Sequence, residues 1–218
     1  MAEAVSVVAS LASICTYLLI LSPIPTLHSS IKSGKTDNMT PFPLLSGVMN
    51  GVLWARYGQL INDPTVRNVN AVGGILNTLY TVIYFIFCLD KTVFYAQFSI
   101  IAFIIAAVLS YVHYSNVPHN VKVTQLGMVS AAAAICVFGS PLAGLYQVIQ
   151  IKSTIYLPLP LIVMAFAVSS LWLTYGILIK DRFIQVPNLL GVILAVAQLA
   201  LFVVFPYEAV ETSTENSA

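Results

Sequence analysis

The chain has 218 residues, a formal net charge of +1, 59% hydrophobic residues and only 8% charged ones. Soluble domains carry about 25% charged residues, so an ordinary water-soluble fold is excluded. The near-zero net charge leaves no basic footprint for a nucleic-acid partner. Asp, Glu, Lys and Arg are absent from runs 4–31, 38–55, 68–89, 92–121, 123–151, 153–179 and 183–207. Each run offers the roughly 17–25 residues that a helix needs to cross a bilayer. The runs are continuously apolar instead of alternating, which argues against a barrel. The expectation is an all-α membrane protein with seven transmembrane helices.

The first span covers about residues 5–31, with Pro23 and Pro25 predicting a kink. Glu3 precedes it and no Lys or Arg does, so it does not read as a signal peptide. After a polar loop over 32–37, the second span starts near Pro41-Phe42-Pro43 and ends near Gly58. Asn62-Asp63-Pro64 is a turn signal. The third span is expected over 68–88, closed by Asp90-Lys91, and the fourth over 93–114. The fifth (123–151) carries Ser140-Pro141, and the sixth (158–178) contains Trp172. Lys180-Asp181-Arg182 forms an exit loop before a seventh span over 186–205 that opens on Pro187-Asn188. The acidic tail after 207 is expected to be disordered. Cys15, Cys88 and Cys136 all fall within spans and read as small packing residues, with no disulfide framework and no metal spacing.

One offset organises these spans. The only two tryptophans, Trp54 and Trp172, are 172 − 54 = 118 residues apart. Tyr57 and Tyr175, Gly58 and Gly176, Asn70 and Asn188, and Ser22-Pro23 and Ser140-Pro141 keep the same spacing. This is an internal duplication. It divides the chain into a first three-helix repeat (5–90), a linker span (91–119), a second repeat (120–206) and a short tail (207–218). Three crossings alone would leave the second copy inverted. The linker span restores the starting side, so the copies run parallel. Lysines and arginines fall on both sides of the membrane and do not settle the direction of insertion.

Each copy pairs a large aromatic with an amide inside an apolar segment, which suits a ligand with hydroxyl groups and a flat apolar face. Asn70 and Asn188 each offer donors and an acceptor without charge; the competing reading is an interhelical hydrogen bond. Trp54 and Trp172 suit stacking against a pyranose C–H face, each with one N–H to spare, or anchoring at the membrane interface. Asn50 and Val168 lie one turn before each tryptophan on the same face. Asn77 and Gln198 have no matching copy and read as packing residues.

These motifs resemble the SWEET sugar transporters, with two three-helix repeats of the MtN3/saliva type. The resemblance rests on Ser22-Pro23, Lys35-Thr36 with Pro43, Asn50, Trp54, Tyr57-Gly58 and Val69-Asn70 in the first copy. In the second it rests on Ser140-Pro141-Leu142, Lys152-Ser153-Thr154 with Pro160, Trp172, Tyr175-Gly176, Asp181 and Val186-Pro187-Asn188. It implies two bundles joined by a linker helix and an extracellular N-terminus. It also implies a homo-oligomer and facilitated bidirectional transport of a sugar without a cofactor. The substrate site at the repeat interface is taken from the class of parallel-repeat carriers of which SWEETs are an example. The resemblance further assigns Asn70, Asn188, Trp54, Trp172, Asn50 and Val168 to the sugar. It makes Tyr57 and Asp181 an extracellular gate, and Pro23, Pro43, Pro141 and Pro160 a cytosolic gate or hinge. From the residues alone, Pro43 and Pro160 also suit helix starts and Asp181 a loop charge.

All eight acids lie in loops, span ends or the tail, which favours an uncoupled uniporter over an ion-coupled carrier. Asn50 and Val168, with Leu19 and Val137 one turn before the prolines, narrow the expected pocket toward a glucose-like monosaccharide. A seven-helix receptor needs no duplication. An intramembrane enzyme needs a reactive constellation within the spans, and no catalytic residue is assigned. The alternative kept open is a PQ-loop-like transporter of another small polar solute, although the chain has no Pro-Gln dipeptide. Plasma membrane and Golgi or endosomal membrane are both compatible with the sequence. Topology has a direct check in Asn38-Met39-Thr40, the sole Asn-X-Ser/Thr sequon. An extracellular N-terminus puts it in the cytosol, so a glycosidase-shift assay is expected to find no glycan there.

Overall fold

The computed structural model describes residues 2–36 and 39–207, with Ser140 by its backbone only. The sequon residue Asn38 and the tail from 208 onward lie outside the described residues. Nine helices are found among those described: α1 (Ala2–Ile20), α2 (Ile24–Ser33), α3 (Pro41–Leu60), α4 (Pro64–Phe87), α5 (Thr92–Tyr114), α6 (His119–Cys136), α7 (Gly139–Ile151), α8 (Leu159–Leu178) and α9 (Arg182–Val204). They make seven crossings, because α1–α2 and α6–α7 are each one broken span.

The breaks have a chemical cause. Pro23 has no N–H for the Leu19 carbonyl, which accepts from Ser22 N at 3.1 Å instead, and Ile24 N bonds Leu21 O at 3.1 Å. These are tight i→i−3 turns. In the second copy the break falls just before Pro141, where Phe138 N bonds Ile135 O at 3.0 Å. Six of the seven crossings are long and apolar enough to span a bilayer by composition alone; α3 is the exception. It is diluted by Asn50, Trp54, Arg56, Tyr57 and Gln59, residues that face protein or span ends instead of lipid.

The fifth crossing begins at His119, not near 123, and two more helix starts differ from the sequence expectation. The third crossing begins at Pro64, not near 68, and the seventh at Arg182, not near 186. In both cases an aspartate caps the helix. Asp63 Oδ1 accepts from Val66 N at 3.0 Å, and Asp181 Oδ1 accepts from Phe183 N at 2.8 Å and Ile184 N at 3.2 Å. Arg67 and Arg182 are thereby first-turn residues, and Pro187 lies inside α9, where it leaves the Phe183 carbonyl without its helical N–H.

The backbone repeats as the sequence does. Outside glycine, positive φ occurs among the described residues at Asn62 (55°), Lys180 (58°) and Lys152 (53°), while Gly34 has 71°. Asn62 matches Lys180 and Gly34 matches Lys152 at the same offset, so the turn after α3 recurs after α8 and the cap of α2 recurs on α7.

Packing follows the same two-fold plan. The tightest pairs are α3 on α4 and α8 on α9; within each copy α1 packs on α4 and α6 on α9. Between copies α1 packs on α8 and α6 on α3, while α5 leans on α3 and α6 with no counterpart. Two parallel three-helix bundles joined by α5 result. Their N-terminal ends lie together, since Ala2 and Val5 share a surface depression with Pro64 and Tyr175 and the His119 ring meets Leu60 O at 3.0 Å.

The α3–α4 seam depends on absent side chains. A Cβ on Gly51 would sit 2.5 Å from Gly74 Cα, and one on Gly58 would sit 2.5 Å from Arg67 N. Small residues allow such close approach where lipid supplies no hydrophobic drive between helices. Gly51→Ala is therefore expected to cost about 1–3 kcal/mol of stability, read as a lowered unfolding midpoint in detergent. Gly139→Ala, with nothing within 4 Å of its Cβ, should leave the midpoint unchanged.

Candidate functional site

Between the bundles lies a cavity of about 380 Å³, within the range of small-molecule sites. Its α3–α4 wall presents Asn50, Trp54 and Asn70, and its α8–α9 wall Val168, Trp172 and Asn188. The six residues singled out in the sequence thus meet in one place. Leu19 and Val137 also line it, as does Ser169, which the sequence reading passed over.

Each cavity amide is partly engaged with its own helix. Asn70 Nδ2 donates to Val66 O at 2.8 Å, Asn188 Nδ2 to Ile184 O at 2.7 Å and Asn50 Nδ2 to Ser46 O at 3.1 Å. An amide has two donor protons and two acceptor lone pairs. One such bond fixes the rotamer and leaves one N–H and the carbonyl oxygen for a guest. Asn77 bonds Gly73 O at 2.9 Å and packs against Gly47, as its packing reading requires.

The tryptophans are 8% exposed and line the cavity, so neither sits as a lipid-facing interfacial anchor. One expectation needs correction. The Trp172 indole N–H is not spare: it donates to Thr16 Oγ1 at 2.8 Å. Threonine inside an apolar span gives no sequence signal of such a bond, which joins residues 156 apart.

At the end marked by Asp63 and Asp181, two hydrogen bonds join the bundles. Tyr57 OH donates to Asp181 Oδ2 at 2.7 Å, and Tyr175 OH to Asp63 Oδ2 at 2.6 Å. The first pair was named from the sequence; the second was not, although Asp63 and Asp181 keep the 118-residue spacing. Beyond these bonds opens a second chamber of about 830 Å³, lined by all four residues and sharing no lining residue with the central cavity.

The other end is built differently. α2 packs on α4 and α7 on α9, each within its own bundle, whereas the main contacts across the divide are those of α1 and α6. Of the four prolines only Pro43 lines the cavity. Pro43 and Pro160 occupy the first turns of α3 and α8, while Pro23 and Pro141 stand at the breaks. The cavity is shut toward the aspartates, and no comparable bonds cross between α2 and α7 among the described residues.

Known proteins share this plan. The family profile described as "Sugar efflux transporter for intercellular exchange" matches residues 3–92 and 124–209, the two repeats without α5. The chain is 37% identical over 206 residues to "Sugar transporter SWEET1" of Drosophila pseudoobscura pseudoobscura, covering 94% of this chain and 91% of that protein. It is 31% identical over 202 residues to "Bidirectional sugar transporter SWEET7b" of Oryza sativa subsp. indica, covering 88% and 74%. A solved eukaryotic SWEET transporter superposes with a TM-score of 0.82 at 27% identity, covering 91% of this chain and 95% of that one.

Because the two Tyr–Asp bonds are equivalent, their loss should be equivalent. A hydrogen bond to a charged group contributes about 1.5–3 kcal/mol. Tyr57→Phe and Tyr175→Phe should therefore each raise, by about tenfold or more, the rate at which a maleimide added on the aspartate side labels Val66→Cys in the cavity. An effect of Tyr57→Phe alone would contradict the equivalence.

Proposed function

The chain belongs to the SWEET family of sugar transporters, and from that membership we propose the following reading of its site. It is an integral membrane, facilitative and bidirectional sugar uniporter, and no catalysis is involved. The cavity between the bundles holds the sugar, Asn70 and Asn188 bind its hydroxyls, and the indole faces of Trp54 and Trp172 cover its apolar C–H surface. Asn50 and Val168 set the size of the guest, which is a glucose-like monosaccharide.

Alternating access follows from the unequal ends. Tyr57 with Asp181 and Tyr175 with Asp63 form the extracellular gate. The breaks before Pro23 and Pro141, with Pro43 and Pro160 at the neighbouring helix starts, form the cytosolic hinge. With the N-terminus outside, the conformation described is closed to the exterior. The repeats are 5–90 and 120–206, joined by the linker 91–119, and the tail from 207 is cytosolic. The protein works as a homo-oligomer in a plasma or Golgi/endosomal membrane. Every acid lies in a loop, at a span end or in the tail, so no carboxylate is placed to couple flux to protons at mid-membrane.

The observation that carries this reading is the meeting of both Trp–Asn pairs in one closed-ended cavity between repeats. Its test is counterflow of labelled glucose in proteoliposomes without a proton gradient. Flux should persist with protonophore, exceed that of sucrose, and, in vesicles not preloaded with unlabelled glucose, never exceed equilibration. Each asparagine contributes about 1–1.5 kcal/mol through a neutral hydrogen bond, so Asn70→Ala and Asn188→Ala should each weaken apparent affinity about tenfold at normal expression. Asn77→Ala should do much less. Protonophore-sensitive accumulation would refute uniport, and normal counterflow by Asn188→Ala would refute the pocket.

A further inference from the structure

The two walls of the cavity carry the same rings but not the same hydrogen bonds. Trp54 and Tyr57 stand 5.5 Å apart at 85°, and Trp172 and Tyr175 5.5 Å apart at 86°. Both indoles are equally buried. Trp172 Nε1 donates to Thr16 Oγ1, and Thr16 spends its own hydroxyl proton on Ala12 O at 2.7 Å. A hydroxyl whose proton is committed elsewhere can only accept, so the indole N–H is held.

The counterpart of Thr16 at the 118-residue offset is Ala134. It lines the cavity, on a helix that packs on α3 as α1 packs on α8. A methyl cannot accept, and the Trp54 indole N–H has no hydrogen-bond partner among the described residues. The hydroxyl of the second copy stands one turn away instead, at Ser130, which is fully buried and unpartnered and whose counterpart is Ala12. The copies have thus exchanged positions: Ala12 and Thr16 in one, Ser130 and Ala134 in the other. The asymmetry continues around the cavity, where Asn50 matches apolar Val168.

We propose that Trp54 is the only donating indole of the cavity and that Thr16 is a positioning residue that silences Trp172. A pyranose between the two indole faces then binds in one orientation, because only the Trp54 side offers an N–H to a hydroxyl. This rests on the sugar-transport reading for its ligand, but the Thr16 bond does not.

The chain has two tryptophans, so a ¹⁵N-indole spectrum of the detergent-solubilised protein holds two resonances, assigned with Trp54→Phe. Without sugar, Trp172 should be protected from solvent exchange and Trp54 should not. Thr16→Val should abolish that protection and Thr16→Ser should keep it. Glucose should newly protect Trp54, while Trp172, already held by Thr16, should gain no protection. In counterflow, Ala134→Thr gives Trp54 an internal acceptor and Ala134→Val adds the same bulk without one. KM for glucose should be about tenfold higher in the threonine variant, the worth of one hydrogen bond, with similar maximal rates. The deoxyglucose lacking the hydroxyl that meets Trp54 should be penalised about tenfold in the wild type and not further in Ala134→Thr. Equal protection of the two indoles, protection of Trp172 surviving Thr16→Val, or equal KM in the two Ala134 variants would overturn the proposal. Wild-type vesicles that exchange no hexose would instead refute the sugar reading, while the sugar-free indole pattern still decides the Thr16 bond.

Discussion

Two carboxylates, each using both of its oxygens, tie the architecture together at one end. Asp63 and Asp181 cap the helices they precede with one oxygen and accept a tyrosine from the opposite bundle with the other. A helix start leaves backbone N–H groups unpaired, and an aspartate there is stabilised by the helix dipole. The carboxylate is therefore fixed by its own bundle before it meets the tyrosine. The order of α4 and α9 and the closure between bundles rest on the same two side chains. A change at either aspartate loosens a helix terminus and a bundle contact together, whereas loss of a tyrosine hydroxyl touches the contact alone.

The duplication was the most legible part of the sequence because it is a matter of spacing, and spacing survives whatever the chain packs against. Six of the positions that line the cavity, Asn50, Trp54, Asn70, Val168, Trp172 and Asn188, came from it directly. Asp63 kept the same spacing but stands in Asn62-Asp63-Pro64, where a turn explains it without a partner, so its bond to Tyr175 was missed. The starts of α4 and α9 were placed too late because Arg67 and Arg182 read as loop charges. An arginine in a first turn can keep its stem on the helix and its head in water, so charge alone is a poor marker of where a membrane helix begins. The Thr16–Trp172 bond was illegible for a different reason: its partners lie in different bundles, and nothing in an apolar span marks one threonine as an acceptor.

Frame and lining obey different constraints. The frame is repeated in its left-handed turn residues, in its breaks and in the helices that pack together. Each of these is backbone geometry, and a bundle can be built only a few ways from three crossings. The lining varies even though one of its bonds, Trp172 to Thr16, crosses between the bundles. Asn50 faces Val168 and Thr16 corresponds to Ala134, yet the rings beside them keep matching poses. The close seams also differ: α3 meets α4 through Gly51 and Gly74, while at the corresponding position in α8 Ser169 turns its side chain to the cavity and to Gly191.

α5 has no counterpart, but it decides what the rest of the chain can become. A pocket assembled from two identical subunits must show every group twice, and a substitution on one wall is imposed on the other. By carrying the second copy across the bilayer in the same polypeptide, α5 releases the two walls from that identity. Each can then accumulate its own changes under selection while the shared scaffold stays put. A chiral guest gains from such drift, since a surface with exact two-fold symmetry cannot distinguish one face of a sugar from the same sugar turned through half a revolution.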